Sequence, residues 1–317
     1  MSIIWNRVCI IVALIGAVTP SSLCQTDLVH TERLELVHDK PFVMVTVNGK
    51  GPFRFVIDTG TSGAAFVTPE LAGILELAAV GQARLSDPSK QSVQSVPIVM
   101  IQSLEVAGFE FKDIKARVHV LGRGEGSYQG LLGFSLFRDC LLTLDFPSRE
   151  LTLAAGSLLS DGEHSVLSFR MPDGIPIVNL RIGGVPIDAQ IDSGGDGLLL
   201  PDRLAARLKF ASDPAEFGNG ESLSTRFQIR AARLAPNVEV GDYFFKRPFV
   251  EIGGAFPLAN FGSSPLQAFA VTFDQKNRLV RFKASQKALS LSAPPTPIQL
   301  LNGPSELPRD PSLVPVD

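Results

Sequence analysis

The sequence predicts a mainly β protein made of two duplicated lobes with short helices. Three observations carry that prediction. Short runs of alternating apolar and polar residues are separated by turn residues throughout. Long helical periodicity is scarce. Most telling, one structural unit occurs twice, in the same order and at a nearly constant spacing.

In the first half, Pro41 to Val47 reads as a strand that ends in the turn Asn48-Gly49, and Phe53-Arg54-Phe55-Val56-Ile57 returns as a second strand into Asp58-Thr59-Gly60. In the second half, Pro176 to Ile182 and the turn Gly183-Gly184 repeat the pattern, and Pro186 to Ile191 runs into Asp192-Ser193-Gly194. Alternation with glycine-containing turns makes both hairpins. An apolar stretch then leads to a proline that opens a helix, at Pro69-Glu70-Leu71-Ala72 and at Pro201-Asp202-Arg203-Leu204-Ala205. Further on, Val106-Ala107-Gly108 corresponds to Val240-Gly241-Asp242, and Leu144-Asp145-Phe146 to Thr272-Phe273-Asp274. The offsets are 192 − 58 = 134, 241 − 108 = 133 and 274 − 145 = 129. Such a register across four anchors points to duplication rather than coincidence.

Composition sets outer limits. The chain has 317 residues, 45% of them hydrophobic and 19% charged, with a net charge of −3. A substantial core is available, and no basic face is indicated that would bind nucleic acid. The N-terminus reads as a signal peptide over residues 1–24. Arg7 is followed by the apolar run Val8–Val18, and Ser22 and Cys24 are small enough to place a cut before Gln25. That run is far shorter than the roughly 20 residues of a spanning helix, so no stable membrane span is expected. Lipidation at Cys24 is the alternative, disfavoured by Leu23. After the cut only Cys140 remains, which excludes an internal disulfide; its apolar neighbours Leu141 and Leu142 make it a buried, inert thiol. The expected organisation is 25–160 for a lobe carrying Asp58, 161–285 for a lobe carrying Asp192, and 286–317 for a proline-rich disordered tail.

The duplicated triplets are where chemistry is expected. Each aspartate follows an apolar strand and precedes a sharp turn, and the glycine after it permits unusual dihedrals or close approach of another chain segment. A lone Asp-Thr-Gly or Asp-Ser-Gly is usually only a turn. Two of them, at matching points of a duplication, would meet at a pseudo-two-fold axis. Two carboxylates about 3 Å apart cannot both ionise, so they share a proton and offer a base and an acid together. A water can then be deprotonated and a carbonyl protonated with no metal, cofactor or covalent nucleophile.

Ile57-Asp58-Thr59-Gly60-Thr61 and Ile191-Asp192-Ser193-Gly194 resemble the paired motifs of the aspartic peptidases, over roughly residues 35–285. The likeness is greatest to bacterial retropepsin-like aspartyl proteases with both motifs in one chain; pepsin is the better-known bilobal relative. The resemblance implies a bilobal acid-protease fold, with Asp58 and Asp192 catalytic. It also implies that Thr59 and Ser193 cross-link the loops, that Gly60 and Gly194 donate backbone amides, and that Thr61 bonds the outer oxygen of Asp58. The family's apolar–apolar–Gly motif is matched by Leu131-Leu132-Gly133 and, with an Asn departing from the pattern, by Asn260-Phe261-Gly262.

Other departures set further expectations. Gly195 stands where Thr61 has its hydroxyl, so Asp192 is expected to lose an orienting donor, with water or nothing in its place. Asp196 reads as a solvated turn residue, and would raise the pair's pKa if buried. Gly81–Met100 has no tyrosine, which fits a retroviral-type flap. His30, His38, His119 and His164 lack metal spacing. Ser127 is not in a G-x-S-x-G elbow, and Gly122–Gly126 lacks the ending of a phosphate loop and reads as a mobile surface loop.

The expected function is an aspartic endopeptidase, secreted or periplasmic, acting as a monomer on a peptide or unfolded protein laid across the cleft. A catalytically weak peptide-binding protein is the alternative. A structural β protein whose Asp loops are mere turns is the third reading.

Overall fold

A computed structural model describes residues 29–293 apart from 87–92, 122–126, 161–164, 222–225 and 255–256. The signal peptide expected at 1–24, the loop Gly122–Gly126, His164 and the chain beyond 293 therefore lie outside the described residues. Those described form three sheets and a few short helices, the β-rich architecture the alternation predicts.

The eight-stranded sheet is drawn from the first half. Its order is Glu35–Val37, Lys40–Val47, Lys50–Asp58, Gly130–Gly133, Ala65–Val67, Phe109–Val118, Gln94–Val106 and Ala79–Leu85. The ten-stranded sheet comes from the second half. It contains the strands Ile177–Ile182, Val185–Ile191, Leu198–Leu200, Phe249–Gly253 and Ala259–Phe261. The duplication is visible in how the central strands pair. Lys50–Asp58 runs parallel to Gly130–Gly133, which pairs antiparallel with Ala65–Val67, which in turn runs parallel to Phe109–Val118. In the second half Val185–Ile191, Ala259–Phe261, Leu198–Leu200 and Phe249–Gly253 repeat the same sequence of parallel, antiparallel and parallel pairings.

The third sheet belongs to both halves. Three strands come from each side, ordered Val29–Arg33, Glu150–Ala154, Leu141–Asp145, Ala270–Asp274, Leu279–Lys283 and Val166–Ser168. The halves meet where Leu141–Asp145 pairs antiparallel with Ala270–Asp274, in a register that sets Thr143 opposite Thr272. Their hydroxyls lie 2.9 Å apart, and 272 − 143 = 129 is an offset of the duplication itself. Equivalent Asx turns flank the junction: Ser148 N–H donates to Asp145 and Asn277 N–H to Asp274, each at 3.0 Å. Phe134 of the first half meets Phe273 of the second edge-to-face, with ring centroids 5.1 Å apart. The two halves thus share one continuous core.

Local signals explain the short helices. Pro69–Ile74 starts after Thr68, whose Oγ1 accepts from Leu71 N–H at 3.2 Å, with Pro69 in the first turn and Leu71 buried. In the second half Pro201 stands one place earlier relative to its helix, as the residue before Asp202–Ala205 and not the first within it. Among the described residues no helix is long and apolar enough to cross a membrane.

One boundary needs correcting. A disordered tail is expected from 286, yet Ala288–Leu289 adds a strand parallel to Tyr243–Phe245. Leu289 is buried, and Lys246 and Phe249 N–H groups bond to the carbonyls of Leu289 and Leu291. The packed chain therefore continues to at least Leu291; the prolines begin only at Pro294.

Candidate active site

The two Asp loops arrive from opposite halves and interlock. Thr59 N–H donates to Ser193 Oγ at 3.1 Å, and Ser193 N–H donates to Thr59 Oγ1 at 3.0 Å. Each hydroxyl then donates to the carbonyl before the opposite aspartate: Thr59 to Ile191 at 2.9 Å and Ser193 to Ile57 at 2.7 Å. Both side chains are fully buried. Both N–H groups and both hydroxyls have partners, which such burial demands.

The glycines serve by being small. Gly60 and Gly194 are not among the positive-φ residues, so unusual dihedrals are not their role. A Cβ on Gly60 would run into the Asp192 carboxyl, and one on Gly194 would run into that of Asp58. Beneath the loops, Gly133 and Gly262 allow equally close approach. A Cβ on Gly133 would collide with the Gly63 carbonyl oxygen, and one on Gly262 would lie 2.6 Å from the carbonyl oxygens of Asp196 and Gly197.

The carboxyl groups of Asp58 and Asp192 come within hydrogen-bonding reach of each other. Asp58 Oδ1 accepts from Gly60 N–H at 2.8 Å, and its Oδ2 accepts from the Thr61 hydroxyl at 2.6 Å. Burial first, and then the nearby Asp192 charge, push the Asp58 carboxyl up to about 7, against the opposing pull of Thr61 and Gly60.

Asp192 corrects an expectation. It is not short of donors. Its Oδ1 accepts from Gly194 and Gly195 N–H at 3.0 and 2.8 Å, and its Oδ2 from Asn260 Nδ2 at 2.8 Å and Gln190 Nε2 at 3.3 Å. The Asn that departs from the apolar–apolar–Gly pattern fills the gap left by Gly195.

Asp196 keeps the solvent exposure expected of it, 41% for its side chain, and gains a partner as well. It forms an ion pair with Lys40 of the first half at 3.1 Å, across the junction of the lobes. Burial works against the Lys40 charge, but Asp196, with Tyr128 and Asp192 behind it, raises the ammonium pKa above its usual value. Asp39 adds to this corner by accepting from Ser264 Oγ at 2.8 Å, while its carbonyl accepts from Gln267 Nε2 at 2.9 Å.

Behind each loop stands an ionisable residue that sequence reasoning missed. Arg117 lies opposite Phe66 and Glu251 opposite Leu199, at equivalent points of the two halves (251 − 117 = 134). Arg117 donates to the Ser62 carbonyl at 2.6 Å and sits over the Phe66 ring. Glu251 packs against Gly197, and burial followed by the Asp196 charge pushes its carboxyl up to about 7.

The hairpin of Ala79–Leu85 and Gln94–Val106 carries the segment expected to act as a flap; its tip lies outside the described residues. Next to that tip, Leu85 and Val96 pack with Val56, Leu131, Phe42 and Phe66. Cys140 is buried and its thiol is pushed up to about 12 by desolvation, which keeps it protonated and unreactive. Among the described residues, no three His, Cys, Asp or Glu side chains converge to hold a metal ion.

A duplicated β fold whose two loops bring a carboxylate pair together defines the class of acid-protease-like proteins. Residues 43–136 match the family model described as aspartyl protease, and this supports assigning the chain to the aspartyl protease family. The matched span includes the first loop and Leu131-Leu132-Gly133 but not Asp192, whose place rests on the geometry above. No curated protein matches the chain.

Proposed function

We propose that the protein is an aspartic endopeptidase that hydrolyses peptide bonds with a water activated between Asp58 and Asp192. One observation supports this above all others: two carboxyl groups from separate halves lie within hydrogen-bonding reach, locked in place by reciprocal Thr59 and Ser193 bonds. The ionised carboxylate takes a proton from water as its oxygen attacks the amide carbon. The protonated carboxyl gives its proton to the carbonyl oxygen. The resulting diol collapses as the C–N bond breaks and the amine leaves with a proton. Substrate lies extended between the lobes and bonds through its main chain, as an added strand does. Both motifs are in one chain, so a monomer suffices. Action outside the cytoplasm is part of the proposal and rests on the sequence of residues 1–24.

The test is cleavage of an unfolded protein at about pH 4 to 6, with and without a pepstatin-type inhibitor. The wild type should cut and be inhibited, while Asp58→Ala and Asp192→Ala should each lose essentially all activity. A wild type that binds peptides across that range without cutting them would replace this reading with the binding-protein one. A wild type that does neither would leave only a structural role.

A further inference from the structure

The two carboxylates sit on different floors. In the first half the strands beneath Asp58 place Val56 beside Leu131 in parallel register. In the second half the equivalent strands place Gln190 beside Asn260. The offsets (190 − 56 = 134 and 260 − 131 = 129) are those of the duplication. Alternation explains why the amides face the site: Ala189, Ile191, Ala259 and Phe261 on either side of them point into the core. An apolar floor has thus become, in one half only, a pair of amide donors aimed at one carboxylate oxygen.

We propose that Asn260, assisted by Gln190, is the positioning residue that holds Asp192 as the charged, water-activating member of the pair and leaves Asp58 as the proton carrier. Asp192 accepts four N–H donors spread over both oxygens, and an N–H cannot accept a proton in return. Hydrogen bonds to the charged form of a carboxylate favour that form. Among the described residues, and apart from its partner in the pair, Asp58 accepts from two donors, and one of them is the Thr61 hydroxyl, which can equally accept from a protonated carboxyl. Burial and the raised titration of Asp58 agree with its holding the proton. The surrounding charges are compatible. Lys40 faces Asp192 but is already paired with Asp196, and Glu251 stands behind Asp196.

Gly195 belongs to the same device. A Cβ there would lie 2.5 Å from Asn260 Nδ2 and 2.7 Å from Asp192 Oδ2. A hydroxyl-bearing residue at 195, the counterpart of Thr61, and the amide at 260 are therefore alternative solutions that exclude each other. In the reaction, Asp192 removes the proton from water while Asp58 protonates the carbonyl oxygen. On collapse Asp192 passes its proton to the leaving nitrogen, and Asp58 regains one from the diol.

This inference rests on the peptidase reading for its chemistry but not for its geometry, so two readouts are needed. The first is the carboxyl titration of protein labelled with 13C-aspartate, followed by NMR without substrate. The second is the pH dependence of kcat and KM on a peptide. Asn260→Leu, which copies Leu131, should move the lower titration step of the pair to higher pH by about 1 and lower kcat about tenfold near pH 4.5, with KM little changed. Asn260→Ala serves equally should the larger side chain disturb folding. Gln190→Val should act in the same direction but more weakly, since its bond is longer. Gly195→Thr alone should be nearly inactive, and adding Asn260→Leu should restore activity by recreating the Thr61 and Leu131 arrangement. An unmoved titration step in both Asn260 variants, or a fully active Gly195→Thr, overturns the proposal. If the wild type cuts no peptide, the peptidase reading falls, and the titration alone still decides the role of Asn260.

Discussion

Gly194 illustrates how tightly single residues are specified at the loop junction. Its missing side chain is the space that the Asp58 carboxyl occupies. Gly194→Ala should therefore cost at least about a hundredfold in peptide cleavage while far-UV circular dichroism stays unchanged, because the displaced groups are those that must be held within fractions of an ångström. Thr59→Val keeps the shape but strips a buried hydroxyl of one donated and one accepted bond. It leaves the Ser193 N–H and the Ile191 carbonyl unpartnered, and urea denaturation should show a loss of about 2 to 3 kcal/mol. These residues were legible in the sequence because their types are dictated by local needs: a carboxylate, a small hydroxyl and a glycine in consecutive positions, twice. Gln190 and Lys40 were not, and Asn260 and Asp196 stood out only as a motif departure and a turn residue, without their roles. What brings them to the site is strand register and lobe contact between positions 70 (260 − 190) and 156 (196 − 40) residues apart, and no local pattern encodes that.

Elements were most readable where a local rule terminates or starts them. Pro69 announces a helix start, and the structure adds that the Thr68 hydroxyl caps it. Thr68→Ala should cost about 1 kcal/mol and lower the melting temperature by about 2 °C, as followed by calorimetry, without changing activity. The hairpins at Asn48-Gly49 and Gly183-Gly184 were readable for the same reason, their turn residues taking positive φ. Ala288–Leu289 was not. Two residues carry no period, and the strand exists only because Tyr243–Phe245 offers it an open edge.

For the molecule as a whole, the raised carboxyls set a pH signature. Asp58 and Glu251 titrate near 7 when folded, well above ordinary carboxyl values. Between about pH 4 and 7 the folded chain keeps protons that the unfolded chain has released, so stability is greatest below that window and declines as pH rises through it. Melting temperatures should fall by several degrees from about pH 4.5 to pH 8. Glu251→Gln should flatten part of that fall, and the basic limb of the cleavage profile should lie near pH 7 rather than at an ordinary carboxyl value. A flat melting curve across this range would contradict the burial of these two groups.

The sheet shared by the two halves, with Thr143 facing Thr272 at its centre, has a meaning for how such a site can change over evolutionary time. A symmetric dimer of identical subunits writes every substitution into both sides of its centre at once, so its two acids must stay equivalent in sequence. Once both copies are spelled out in a single polypeptide, each can drift alone. Gln190, Gly195 and Asn260 opposite Val56, Thr61 and Leu131 are that freedom put to use. A division of labour between two identical-looking aspartates becomes heritable only after the halves are joined.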